Sequence, residues 1–256
     1  MASRHLNVVA VFHEQKALIQ PRQEHSLNSQ ILVDHLDLRL QSELDFFGLY
    51  LDQDPVPTLI KEVREGWLSS DECLDELRQH GVDLIMVYGS SIIKGDILNR
   101  YHSRILNLHL GLSPYYRGSG TNFFPFVNNE PEYAGATFMY LDAGVDTGPI
   151  IHQIRPELST ADSFHQLSNR FLIRAFNIYI QIAEGFSDVT AESESYRDVR
   201  FGDKRLLYRR SDFTPETVEM LSANFRDGMI ESYLAHREER ISKAPIKELN
   251  ILRDDI

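Results

Sequence analysis

The amino-acid sequence predicts an α/β fold with an open, mostly parallel, Rossmann-like sheet and helices on both faces. Two continuous apolar runs, residues 6–12 (LNVVAVF) and 82–88 (VDLIMVY), are typical of strands buried on both faces of such a sheet. Residues 69–72 (SSDE) form a helix-start pattern ahead of the second run. A third strand is predicted at 105–110 (ILNLHL), after a short helix at 96–101. This alternation of helices and strands favours a parallel sheet.

The next segment predicts a pair of short strands and then a long helix. The strands are expected at 136–141 and 150–154, and a glycine-rich loop, 142–149, joins them. A helix start at 159–162 is followed by apolar residues at helical spacing until Gly185. We therefore expect the core of the fold to end near residue 190.

The remaining residues predict a small, mainly helical C-terminal extension. The Ser- and Glu-rich residues 186–195 resemble a linker, and a strand is expected at 205–209. Helices are predicted from Thr214, as the cap, to about Ser242, with Pro215 as the first helical residue. The predicted domains are thus a core at 1–190 and a linker with the extension at 191–256.

Composition and charge exclude several classes of protein. The 256 residues have 42% hydrophobic and 25% charged residues, as in ordinary globular proteins. Cys73 is the single cysteine, so an intramolecular disulfide and a multi-thiolate zinc site are excluded. The net charge is −12, and residues 196–256 are balanced with 12 basic and 12 acidic groups, so no segment is strongly basic. General nucleic-acid binding is not expected.

The composition also bears on localisation. No apolar run approaches the roughly 18 residues that cross a bilayer, and the first residues do not resemble a secretory signal. We therefore expect a cytoplasmic protein without membrane association. The oligomeric state, including a homodimer, is left open.

Polar residues at the end of the third predicted strand suggest a functional site. Asn107 and His109 are two residues apart on that strand, so both side chains project from the same face. Asp142 and Asp146 lie in the glycine-rich loop that follows the next strand, and this loop could fold back over the strand end. A carboxylate there would orient the imidazole and favour its charged form. Taken singly, each of these residues is more often structural than functional.

The combination of these residues resembles a known family signature. The pattern N-x-H, then S-P-x-x-R-G, then G-x-T-x-x-x-x-D-x-G-x-D-T-G-P-I-I is similar to that of folate-dependent formyltransferases. That family includes glycinamide ribonucleotide, methionyl-tRNA and nucleotide-sugar formyltransferases. The resemblance covers residues 80–185 and weakens on either side. It implies that residues 1–190 are a formyltransferase catalytic core and that the formyl donor is 10-formyltetrahydrofolate, with no metal required.

The resemblance implies a mechanism for the three polar residues. Asn107, His109 and Asp146 would act together on the formyl carbonyl when a substrate amine attacks it. The tetrahedral intermediate carries an oxyanion, which needs fixed donors such as the Asn107 amide and a protonated His109. Asp146 would hold the ring, and the imidazole or a water held by Asp146 would shuttle protons between the two amines.

The resemblance also implies residues for binding the two substrates. The folate would be bound by the loop after the second predicted strand and by the glycine-rich loop, that is, by Gly89, Ser90, Ser91, Ile92, Ile93, Asp142 and Gly144. The amine substrate would be bound by residues that follow His109, namely Ser113, Tyr115, Arg117 and Gly118. Arg117 could meet a phosphate, although a solvated arginine in a turn is equally consistent. Residues 204–210 could contact a nucleotide diphosphate, although a charge run of this kind is more often a solvated surface.

The sequence departs from the family pattern in two places. The family opens with a strand and a Gly- or Ser-rich turn, but Phe12 is followed here by His13 and Glu14. Residues 1–12 therefore resemble the family's second strand, which indicates either a truncated chain or an unusual start. Residues 110–114 (LGLSP) replace the usual Ser-Leu-Leu-Pro on the substrate side.

The acceptor amine is expected to be small. Methionyl-tRNA enzymes have a C-terminal β-barrel domain, whereas this extension is short and charge-balanced, and glycinamide ribonucleotide enzymes generally lack a comparable tail. Residues 121–124 (TNFF) resemble the equivalent stretch of nucleotide-sugar N-formyltransferases, which favours a nucleotide-linked amino sugar. The alternatives are the other two acceptors, hydrolysis of 10-formyltetrahydrofolate to formate, and an inactive relative of the fold.

Overall fold

The computed structural model of the protein describes residues 6–15, 27–51, 59–186 and 202–249. Its strands are β1 (Ala10–Gln15), β2 (Leu59–Arg64), β3 (Ile85–Tyr88), β4 (Ile105–His109), β5 (Tyr116–Gly118), β6 (Ala136–Tyr140), β7 (Ile150–Ile154) and β8 (Leu206–Tyr208). Its α-helices are α1 (Leu27–Leu51), α2 (Asp71–Gln79), α3 (Asp96–Arg100), α4 (Phe124–Val127), α5 (Phe164–Glu184), α6 (Pro215–Arg226), α7 (Met229–Ala235) and α8 (Arg237–Ser242). The predicted α/β fold class is confirmed.

A four-stranded sheet of order β3-β4-β6-β7 forms the centre of the fold. β3 and β4 are parallel, whereas β4 pairs antiparallel with β6, and β6 antiparallel with β7. Every residue of β4, β6 and β7 is buried. Leu106 and Leu108 of β4 pack with α5 in one hydrophobic cluster. Because side chains alternate along a strand, Asn107 and His109 project from the opposite face of β4.

A separate pair of parallel strands, β1 and β2, lies outside this sheet. The expectation that residues 6–12 and 82–88 are buried on both faces was wrong, since β3 in the second run also exposes every second residue. β1 begins at Ala10, and its residues alternate between half-buried and exposed. The ring of Phe12 packs on Trp67 at 5.0 Å between centroids, whereas Val11 on the other face is exposed. The β-branched run indicated a strand correctly, but β propensity does not report how many faces are covered.

The helix boundaries follow local capping interactions. Ser70 caps α2 by accepting a hydrogen bond from the Cys73 amide, as the SSDE pattern predicted. The long helix α5 begins one turn later than predicted, because Ser163 is its cap and forms a reciprocal capping box with Gln166. Thr214 caps α6, as predicted, and α7 and α8 follow it to Ser242.

Tyr179 of α5 ties the central sheet to its covering helix. The amide of Val87 in β3 donates to the Tyr179 hydroxyl at 2.9 Å, and that hydroxyl donates to the Leu106 carbonyl of β4 at 2.7 Å. The hydroxyl thus bridges the backbones of two paired strands. Burial raises the pKa of Tyr179, so it stays a neutral donor.

Two buried histidines lie where α1 meets α5. The rings of His35 and His165 are 4.5 Å apart and lie among the aromatic rings of Phe123, Phe164 and Phe213. Burial, reinforced by nearby positive charge, lowers the pKa of each histidine to about 4. Both rings are therefore neutral at pH 7, and they act as part of the packed interior.

The C-terminal extension packs against the core. β8 pairs with β5 in parallel, and Val218 and Leu221 of α6 share a hydrophobic cluster with α4. The predicted strand and helices of the extension are therefore confirmed. The predicted linker lies almost wholly in 187–201, outside the described residues, so the domain division near residue 190 stays a prediction. Within the described chain, no helix is both long and apolar enough to cross a membrane.

Candidate active site

Two polar side chains of β4 form the base of the candidate site. Asn107 and His109 lie on the same face of the strand and are only 9% and 6% exposed. Within the described part of the chain, the Asn107 amide forms no hydrogen bond. Neither polar atom of this amide is fully shielded from solvent, so the amide is available to donate to a bound ligand.

The His109 ring is held between two protein oxygens. Its Nε2 lies 2.9 Å from the carbonyl oxygen of Tyr116, and its Nδ1 lies 3.3 Å from Oδ2 of Asp146. A carbonyl oxygen can only accept, so Nε2 carries the hydrogen and the neutral ring has its lone pair on Nδ1. Nδ1 is therefore the basic nitrogen, and a proton taken there would lie beside a carboxylate.

Asp146 reaches the ring from the loop between β6 and β7. Its backbone is left-handed, with φ of 51°, a conformation that Asp tolerates better than most residues. Its Oδ2 also accepts a hydrogen bond of 2.8 Å from the amide of Gly118. Asp142 shapes the same loop by accepting from the Thr147 hydroxyl and the Gly144 amide. The structure thus places Asp146 beside His109, on the strand face that Asn107 shares.

Gly111 and Thr121, neither of which was predicted beside His109, complete the surroundings of the ring. The Thr121 hydroxyl donates to the Leu110 carbonyl at 2.7 Å and lies 3.4 Å from Nε2 of His109. A Cβ atom at Gly111 would be 2.6 Å from Nε2 and 2.7 Å from the Thr121 hydroxyl. Only glycine fits there, and the sequence signal for it was a glycine two residues after His109.

A cavity of about 240 Å³ opens beside Asp146. It is lined by residues of three segments, namely Ser113, Pro114, Arg117, Asp146, Thr147, Gly148, Ile150 and Arg205. Ser113 and Arg117 were expected on the substrate side, and Arg205 belongs to the basic run 204–210. The volume is below the roughly 300 Å³ at the lower end of ligand pockets, so it admits one end of a substrate.

Two other residues expected on the substrate side have different positions. Tyr115 is completely buried, and its hydroxyl donates to the Pro245 carbonyl, so its assignment to the substrate was wrong. The S-P-x-x-R-G pattern could not show that the C-terminal extension covers this ring. Gly118 does not line the cavity but donates to Asp146, and a Cβ there would be 2.1 Å from the Tyr208 carbonyl oxygen.

The loop after β3 is held by an acidic residue of β1. Glu14 accepts from the amide and the hydroxyl of Ser91, both at 2.6 Å, and from the Gly66 amide at 2.8 Å. Ile93 is buried in a hydrophobic cluster, whereas Ile92 is exposed. Of this pair, only Ile92 therefore presents its side chain at the surface, and a folate contact with Ile93 would have to use its backbone.

A family model described as formyl transferase matches residues 41–183. Among curated relatives, a phosphoribosylglycinamide formyltransferase of Arabidopsis thaliana is 27% identical over 143 residues, which are 52% of this chain and 49% of that protein. A phosphoribosylglycinamide formyltransferase of Bacillus subtilis is 36% identical over 101 residues, 38% of this chain and 50% of that protein. The chain spans about half the length of these relatives.

Two solved formyltransferase structures are also similar to this chain. The formyltransferase PseJ from Anoxybacillus kamchatkensis, solved with UDP-4,6-dideoxy-4-formamido-L-AltNAc and tetrahydrofolate, is 20% identical, with a TM-score of 0.47. The match covers 71% of this chain and 92% of that one. Phosphoribosylglycinamide formyltransferase from Anaplasma phagocytophilum is 18% identical, with a TM-score of 0.48, and covers 79% of this chain and 98% of that one.

Proposed function

The chain belongs to the formyl transferase family, and on that premise we propose that it transfers a formyl group from 10-formyltetrahydrofolate to a primary amine. The observation that carries the proposal is the grouping of Asn107, His109 and Asp146, with 3.3 Å between the imidazole and the carboxylate. An amide donor and a base paired with a carboxylate are the groups that acyl transfer between amines requires.

The geometry supports a division of roles among these residues. The acceptor nitrogen attacks the formyl carbon, and the carbonyl oxygen gains negative charge that the Asn107 amide can stabilise by donation. Nδ1 of His109 can take the proton that the attacking nitrogen loses, because Nε2 is already engaged by the Tyr116 carbonyl. The resulting imidazolium is stabilised by Asp146. The same proton then goes to the folate nitrogen as its bond to the formyl carbon breaks.

Two loops are proposed for the folate. Residues 89–93 and residues 142–144 would bind the donor, through Gly89, Ser90, Ser91, Ile92, Ile93, Asp142 and Gly144. The bonds from Ser91 to Glu14, and those from Gly144 and Thr147 to Asp142, give both loops a defined shape. A preformed shape lowers the entropy cost of binding, which supports this assignment.

We further propose that the acceptor is a small amine, in particular a nucleotide-linked amino sugar. The cavity beside Asp146 is about 240 Å³ and accommodates the reactive end of such a molecule. The strand β8 closes one side of this region through its pairing with β5. A short extension that forms part of the acceptor side agrees with a small substrate.

The test is an acceptor panel with purified protein. The protein is incubated with 10-formyltetrahydrofolate and, separately, with nucleotide-linked amino sugars, glycinamide ribonucleotide, methionyl-tRNA and buffer, and products are identified by mass spectrometry. A formylated amine supports transfer and names the acceptor. Formate in buffer alone would instead identify a hydrolase, and no consumption of the donor under any condition would refute the proposal.

Substitutions in the candidate site test whether the formyl transfer takes place there. Asn107→Ala and His109→Ala should each lower turnover about 100-fold or more, while donor binding changes little, because both residues act mainly on the transition state. Asp96→Asn, at an exposed position of α3, is the control for general effects of substitution. Full activity in either alanine variant would remove that residue from the mechanism.

A further inference from the structure

Strand pairing brings two arginines from distant segments into one cavity. Arg117 lies in β5, and Arg205 immediately precedes β8. The register pairs Tyr116 with Leu206, and the Leu206 amide donates to the Tyr115 carbonyl at 2.8 Å. The C-terminal extension therefore contributes a guanidinium to the cavity that Asp146 also lines.

Neither guanidinium is neutralised by an acidic partner. In the described ranges, no carboxylate lies within 4.0 Å of Arg117 or Arg205, whereas the neighbouring Lys204 forms an ion pair with Glu130. Arg205 instead donates to the backbone carbonyls of Gly202 and Lys204, which holds its head group in place. Two cations thus share a cavity in which Asp146 is the one carboxylate among the lining residues.

Two residues that line the cavity each have a buried polar atom without a hydrogen-bond partner among the described residues. The Ser113 hydroxyl and Nε of Arg117 are shielded from solvent, and among the described residues neither atom has a partner. Ser113 is only 2% exposed. Both atoms lie behind the cavity wall, so the acceptors of a ligand would reach them only after the two side chains rotate towards it. Buried polar atoms are satisfied in most proteins, which favours such a partner.

We propose that Ser113, Arg117 and Arg205 form a subsite for a phosphoryl group of the acceptor. This inference rests on the proposed function, and it defines the acceptor as an amine with a phosphoryl group close to it. Asp146 and the two arginines line the same cavity, so the amine and the phosphoryl group would both lie within one pocket. Guanidinium groups bind phosphoryl oxygens through paired N–H donors, and a serine hydroxyl adds a further donor.

Packing fixes the segment that carries Arg205. Lys204 lies over the rings of Tyr116 and Tyr133 and pairs with Glu130. Tyr208 at the other end of the strand stacks on Phe124, with ring centroids 3.8 Å apart. The subsite is therefore preorganised, which reduces the ordering cost of binding an anion. Of the basic run 204–210, Lys204 is structural and Arg205 faces the cavity.

Inorganic pyrophosphate, added without folate or amine, tests the subsite directly. Calorimetry should detect binding to the intact protein, and Arg205→Gln and Arg117→Gln should each weaken it about tenfold, as expected for one lost charge-assisted hydrogen bond. Asp146→Asn should strengthen binding, because it removes a negative charge from the same cavity. Arg237→Gln, exposed on the same extension, is the matched control and should bind as wild type.

The outcomes separate this inference from the proposed function. Absence of pyrophosphate binding, or equal binding by wild type and Arg205→Gln with unchanged thermal unfolding, would overturn the subsite even if formyl transfer is observed. Binding that weakens in both arginine variants and strengthens in Asp146→Asn supports the subsite even if no amine in the panel is formylated. Formyl transfer to a phosphorylated amine, with a tenfold higher KM in Arg205→Gln, supports both.

Discussion

Replacing Asp146 with asparagine removes one negative charge and leaves the shape of the loop nearly unchanged. Asparagine accepts the left-handed backbone at this position, and its Oδ1 can keep the 2.8 Å bond from the Gly118 amide. The oxygen that accepts from Gly118 is also the atom that faces Nδ1 of His109, so a neutral amide oxygen then lies beside the ring in place of a carboxylate oxygen. The imidazolium that forms when Nδ1 takes a proton therefore loses the negative charge that stabilised it.

The magnitude follows from the distance between the two groups. At 3.3 Å and an effective dielectric constant of about 20, a carboxylate stabilises an adjacent imidazolium by about 5 kcal/mol. The dipole of the asparagine amide and reorganised water recover part of this energy. If about half is lost in the transition state, turnover falls about 100-fold. Folding is expected to change by less than about 1 kcal/mol, because the packing is retained.

The assay is steady-state formyl transfer with the acceptor found in the panel, together with KM for the folate and thermal unfolding. The expected result is a kcat near 1% of wild type with an unchanged KM and an unchanged unfolding temperature. A variant that retains half the wild-type kcat, or that loses activity through KM alone, would refute the role given to Asp146. Asp96→Asn controls for removal of a surface charge.

Three further predictions concern the support of the site and the stability of the fold. Gly111→Ala should lower kcat about 10- to 100-fold in the transfer assay, because its Cβ would be 2.6 Å from the His109 ring. His35→Phe should flatten the pH dependence of the unfolding free energy measured by denaturant titration between pH 7 and pH 4. Burial lowers the pKa of His35, like that of His165, to about 4. Below pH 6.5 the unfolded chain therefore binds more protons than the folded chain, and each histidine lowers the free energy of unfolding by up to about 3 kcal/mol as the pH falls to 4. Tyr179→Phe should lower the unfolding free energy in urea by about 2 kcal/mol, because two strand groups lose their hydrogen-bond partner.

Each of these predictions has a contrary outcome. Full activity in Gly111→Ala would show that the ring tolerates displacement. An equal loss of stability on acidification in His35→Phe and wild type would show that His35 is not responsible for that loss. Unchanged stability in Tyr179→Phe would show that β3 and β4 close to form a direct bond.

The sequence determined the elements whose signals are local. The cap at Ser70, the cap at Thr214 and the strand at 105–109 depend on short patterns, and they lie within a few residues of the predicted positions. The two-residue spacing of Asn107 and His109 put both on one face of a strand for the same reason, because strand periodicity is independent of the rest of the fold. The helix α1 was missed, since apolar and polar residues along it show little helical periodicity.

Long-range contacts were decided only by the tertiary structure. The glycine-rich loop made an approach of Asp146 to His109 plausible, but the distance depends on the Gly118 amide of β5. Arg205 lines the cavity because β8 pairs with β5, a strand some 90 residues earlier in the chain. The same tertiary packing buries Tyr115, whose neighbours in the sequence line the cavity. A sequence pattern reports which face a side chain takes on its own element, whereas the partner of that face is set by packing of segments far apart in the chain.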